Sequence, residues 1–249
     1  MTTDARSAGS ADEIDAETDA DTDTDTDTDT ALDTESGVDN DPAVDDHLEQ
    51  ARLRAHIAAV TIELIRTGET LRPDSAAVSE AAGVDQEVVQ RQFPTWESLV
   101  AVAVMRWHEG RIAPLLATAG GGGAVVFLER LIAANLADPR MMRLLVSTLT
   151  AGADAANPAA PFYRNQYAGF HRTVRGLFEQ DVLAGREPAT IDPRRAADQL
   201  LALYEGLQLQ GMLRDGLDVL AAFRDVTGRL RRGWAAGVGG EAADGVYDI

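Results

Sequence analysis

The 249-residue chain has no cysteine, and all 22 of its basic residues are arginine. Without cysteine, disulfides, thiol catalysis and thiolate metal sites are excluded. The four histidines are scattered, so no metal cluster and no cofactor is expected. The absence of lysine points to a GC-rich genome more readily than to a physical demand. Aromatic residues make up only 5% of the sequence, and no apolar run approaches the ~20 residues a membrane helix needs. No basic flank leads into an apolar core at the N-terminus, so an export signal is not expected and the chain reads as cytoplasmic. What remains is 45% hydrophobic, enough to bury a core in one or two domains.

The formal charge of −19 is unevenly spread. Residues 1–46 hold 17 of the 41 acids and one base, a net −16 that leaves −3 for everything else. Within them "DADTDTDTDTDT" (residues 19–30) alternates like charges with almost nothing to bury, and a disordered acidic tail is expected. The repeat lacks the turn glycine and distal glutamate of a calcium loop. Such a tail either solvates the protein or, lying beside a DNA-reading segment, competes with nucleic acid.

Helical periodicity governs the rest. Two stripes run through 47–66: Leu48, Ala51, Ala55, Ala58, Ile62, Ile65, and Leu53, Ile57, Val60, Leu64. Repeated spacings of three and four predict one helix buried on a broad face. Short helices are predicted from Asp74 to Ala82 and from Asp85 to Gln92, with Gly83 supplying the left-handed turn between them. A longer helix follows from about Thr95 to Thr118. Two short helices joined at a glycine and packed on longer ones outline a helix-turn-helix. Further helices are expected at 124–137, 139–152, 159–184, 193–215 and 217–234, punctuated by Asp138, Gly185, Asp192 and Gly216. "AGGGG" (119–123) reads as a flexible break and not a phosphate loop, since no Lys-Ser or Lys-Thr follows it.

The segment "VSEAAGVDQEVVQRQFPTWESLV" resembles the TetR family of bacterial one-component regulators, with Val78, Ala82, Gly83, Val84, Phe93, Glu97 and Leu99 on family positions. "ANPAAPFYRNQY" (156–167) and "DPRRAADQLLALYEGLQLQGML" (192–213) resemble the ligand-binding and dimerising domain of the subgroup that includes choline-responsive repressors. The resemblance spans about residues 47–233. It departs from the family where phosphate is held: Asp74 stands for the usual threonine, Gln90 for a tyrosine and Trp96 for a lysine. Residues 47–108 carry eight acids against six arginines, whereas a basic face is the usual footprint of a DNA reader.

Candidate DNA-binding residues are Gln86, Gln90, Arg91 and Gln92 for base edges, with Ser75 next to Asp74, and Trp96 where the resemblance would have a lysine. They read equally as polar residues on a solvated helix. Candidate ligand-pocket residues are Tyr163, Tyr167, Phe170 and His171, at helical spacing, and Trp107, Phe127 and Tyr204, which the resemblance implies; ordinary core is the competing reading. Candidate dimer-interface residues are Leu200, Leu203, Gly206, Leu207, Gly211, Leu220, Phe223 and Leu230. Two glycines within a helix suggest close backbone approach, and burial within one chain is the alternative.

The expected architecture is all-α: an acidic tail (1–46), a helix-turn-helix domain (47–93), a helical ligand-binding and dimerisation domain (94–235) and a short C-terminal tail (236–249). No catalytic or metal constellation can be assembled, so an enzyme is not expected. The resemblance implies a ligand-responsive regulator, a repressor in sense, binding a palindromic operator as a homodimer. A TetR-fold dimer that has lost DNA binding is the alternative.

Overall fold

The computed structural model describes residues 42–119, 121–157 and 159–236. The acidic tail up to residue 41, and residues 237–249 of the expected C-terminal tail, lie outside the described residues. Those described form nine helices and no strand.

Helix α1 (Pro42–Thr67) begins five residues before His47, and Val44 and Leu48 in its first turns are exposed. Beyond them the two stripes separate. Ile57, with Leu53, Val60 and Leu64, packs against Val78, Ala82, Val89 and Phe93 of the short helices α2 (Ser75–Ala82) and α3 (Gln86–Gln92). Ala58, Ile62 and Ile65 pack instead on Val100, Val104 and Trp107 of α4 (Trp96–Ala119) and on Met141 and Met142 of α6 (Pro139–Ala153). One helix thus belongs to two cores, because its apolar face is wide enough to serve both.

Between α2 and α3, Gly83 takes φ +64°, the left-handed turn expected there. The turn is closed by Gly83 N–H donating to Glu80 O, and by the Ser79 hydroxyl donating to Val84 O at 2.6 Å.

Helices α5 (Gly123–Leu136), α7 (Ala160–Leu183), α8 (Pro193–Leu213) and α9 (Val219–Ala235) enclose the larger core around Phe127, Leu131, Phe178, Leu200 and Phe223. Aspartates cap α2, α6, α8 and α9 through Asp74, Asp138, Asp192 and Asp218. Each satisfies backbone donors left free at a helix start. Pro114 lies inside α4, a feature the periodicity did not announce.

The glycine run is a built junction and not a simple break. Gly123 opens α5 at φ +72°, and the buried Asp181 carboxylate of α7 accepts from Ala124 N–H at 2.8 Å. Arg186 completes the junction with an ion pair to Asp181 at 2.7 Å.

Candidate effector cavity and reading head

Helices α4, α6, α7 and α8 surround a cavity of about 370 Å³, within the range of small-molecule sites. Each helix contributes one face. Ala101, Val104, Met105 and His108 come from α4, and Met142, Leu145, Val146 and Leu149 from α6, both at spacings of three and four. Helix α7 gives Phe162, Tyr163, Gln166, Tyr167 and Phe170; α8 gives Ala202, Tyr204, Glu205, Gly206, Gln208 and Leu209.

Glu205 is the only carboxylate in this lining. Burial raises its carboxyl above the ordinary range, while a hydrogen bond from Tyr167 and the nearby His171 oppose that rise. Tyr167 is pushed up to about 12, first by burial and then by Glu205. His108 lies against Phe170 with ring centroids 5.4 Å apart, and burial together with the Arg111 charge lowers it to about 4. Behind this wall Arg111 stacks 3.2 Å over the Trp107 ring and donates to Asn135, burial lowering it to about 10. Asn135 in turn donates to Tyr204 Oη at 2.9 Å and to Gln208. The guanidinium is thus held outside the cavity lining.

Of the pocket residues expected from sequence, Tyr163, Tyr167, Phe170 and Tyr204 line the cavity. Trp107, Phe127 and His171 do not. Trp107 is buried and its indole donates to Asp138 at 2.8 Å; Phe127 belongs to the large core; His171 pairs with Asp198 at 2.5 Å. The sequence reading missed His108 and Glu205. The stripe of four on α4, and an acid standing among the leucines of α8, were the signals available.

The expected interface residues divide between this chain's own core, the cavity lining and partly buried positions on α8 and α9. Leu200, Leu207 and Phe223 are buried in the chain's own core, with Leu203, Leu220 and Leu230 packed against it. Gly211 owes its smallness to Val219, since a Cβ there would lie 2.6 Å from Val219 Cγ2 of the same chain. Gly206 has open space beside it because it faces the cavity. The large hydrophobic residues that α8 leaves exposed are Leu209 and Leu213.

In the reading head, Gln86, Gln90 and Arg91 are exposed on α3, and so is Glu87. Gln92 is not available to bases: it is buried, its amide donates to Gln50 and its carbonyl accepts from Arg54. Trp96 is half-buried at the start of α4, and Ser75 opens α2.

Cavity and head share α4 and meet again at Asp138. One Asp138 oxygen accepts from Arg66 of α1 at 2.7 Å and from Trp107 of α4 at 2.8 Å, while the other caps α6. Arg140 of α6 adds a bond to Ile65 O at 2.5 Å. Asp138→Ala removes the cap and strands the indole donor, so it should cost about 2–3 kcal/mol. Urea titration checks this, and a loss below about 0.5 kcal/mol would mean that water replaces the carboxylate freely.

Residues 126–232 match a family model described as the C-terminal domain of BetI-type transcriptional repressors. Among solved structures, a TetR transcriptional regulator from Rhodococcus sp. RHA1 is 21% identical, covering 78% of this chain and 100% of its own, with a TM-score of 0.51. The chain has the TetR fold. A TetR regulator from Haloarcula marismortui is 14% identical over 74% of this chain and 98% of its own, TM-score 0.56. A chain from Saccharomonospora viridis, described as a transcriptional regulator and solved in complex with choline, is 18% identical over 72% and 96%, TM-score 0.57. No curated protein is a significant match. The likeness to a BetI-type C-terminal domain extends over residues 126–232, and the likeness to the solved structures is one of fold.

Proposed function

We propose that this TetR-fold chain is a cytoplasmic, ligand-responsive repressor that binds a palindromic operator as a homodimer, and that its effector is a small organic cation. The observation carrying the effector reading is the cavity itself: aromatic side chains from α7 with a single carboxylate in the lining, Glu205 of α8, hydrogen-bonded by Tyr167. Aromatic faces attract a desolvated cation, and the half-buried Glu205 carboxylate supplies the charge to balance it. The choline bound by the Saccharomonospora viridis structure is a molecule of this class.

The response follows from shared helices. An occupant that shifts α4 against α6 acts on the helix leading into the reading head and on the Asp138 junction with α1. Binding favours an arrangement in which two heads no longer match successive major grooves. In the dimer, the exposed side of α8 around Leu209 and Leu213, with α9 beside it, meets its two-fold mate.

Choline should raise the melting temperature, and its neutral carbon isostere 3,3-dimethylbutanol should not. Glu205→Gln should weaken choline binding about 10- to 100-fold, as expected for loss of a charged partner. Affinity should also fall as pH drops through the raised Glu205 pKa, because protonation removes the anion. Equal binding of cation and isostere would overturn the cationic assignment. Selecting bound duplexes from a random DNA pool tests the regulator reading. Failure to enrich any sequence would leave a TetR-fold binding module without DNA.

A further inference from the structure

The head lacks a basic residue where its relatives hold phosphate, yet the structure brings one in from outside α2. Arg72, two residues before the Asp74 cap, has its guanidinium 5.7 Å from the centroid of the Trp96 ring at the start of α4. Among the described residues it pairs with Glu97 at 3.7 Å, and both side chains are at least half exposed. A pair of that length and exposure contributes little. Asp74 is already engaged, accepting from Ala77 N–H at 2.8 Å. The Arg72 side chain, two-thirds exposed, therefore keeps its guanidinium accessible. Arg72 also lines a cleft of about 390 Å³ with Ser75, Gln90 and Trp96, and the buried Ser75 hydroxyl has no hydrogen-bond partner within the chain.

We propose that Arg72, held over Trp96, is the phosphate-binding residue of the reading head. The Trp96 ring replaces a direct cation with a platform that positions one. A planar guanidinium suits this task because its donors pair two phosphate oxygens at once while its face stays on the ring. Ser75 lies in the same cleft as a neutral donor. The inference rests on the regulator reading and deepens it: each head neutralises few phosphates, and Arg72 is one of those contacts.

The test uses the full chain and a duplex enriched from a random pool, followed by fluorescence anisotropy across salt concentrations. Each lost phosphate contact lowers the slope of log affinity against log salt by about 0.9. Arg72→Ala should therefore flatten the slope by about 0.9 per head, making its affinity loss about 3.5-fold larger per head at 50 than at 200 mM salt. Arg72→Lys should keep the slope, and Glu97→Gln should tighten binding by freeing the guanidinium. An unchanged slope in Arg72→Ala, with a wild type that binds, overturns the proposal and leaves the regulator reading intact. If no duplex is enriched, the regulator reading falls and this one falls with it.

Discussion

Replacing Gly123 by alanine should lower the stability of the fold by about 3–5 kcal/mol and the melting temperature by about 10 °C. Two independent faults combine. The residue sits at φ +72°, where an L side chain is strained, typically by about 1 kcal/mol or more. A Cβ there would also lie 2.2 Å from an oxygen of the buried Asp181 carboxylate. That carboxylate caps Ala124 and pairs with Arg186, so it cannot move aside without losing bonds to both. Gly121 is the control: a Cβ there meets nothing within 4 Å. Gly121→Ala should stay within about 0.5 kcal/mol of the parent. Calorimetry on the two variants decides the matter. Equal melting temperatures would mean that α5 and α7 re-form their junction without the glycine.

The same residue shows where sequence reading reaches its limit. Helix periodicity and aspartate caps are local properties, so eight of the nine helices begin and end within a few residues of where spacing places them. The two stripes of α1 were visible as one broad apolar face, and the fold shows that each serves a different core. A glycine run, however, looks identical whether it swings freely or grips a carboxylate 58 residues further along, and only the fold distinguishes them. The cavity was legible in half. Aromatics at helical spacing identify α7 as a wall, but Trp107 and Phe127, which the resemblance implied, face Asp138 and the large core. Which way a buried aromatic turns depends on its neighbours across the helix pair, which spacing does not encode. Gly206 and Gly211 show this again: one is small for a cavity and the other for Val219, and spacing suggested a partner chain for both.

Acid should destabilise the protein through His108 in particular. Burial first, and the Arg111 charge second, lower this imidazole from 6.5 to about 4. The unfolded chain therefore binds a proton at higher pH than the folded one does. Stability is complete above about pH 6.5 and is lost progressively as pH falls toward 4, by about 3 kcal/mol in all. Glu205 acts in the opposite direction, since its raised carboxyl binds a proton earlier in the folded state than in the unfolded. The net acid profile is thus shallower than His108 alone would give, and the informative quantity is a difference between variants. His108→Gln keeps a polar side chain of similar reach and cannot titrate. Denaturation midpoints measured from pH 4 to 7 should fall more steeply for the parent than for this variant. Parallel profiles would mean that the histidine finds water when it protonates. A divergence would show that this wall of the cavity stays neutral because the fold withholds a proton from it. A cationic occupant needs that condition, with Arg111 drawn behind the wall by Asn135 and Glu205 left as the charge the cavity presents.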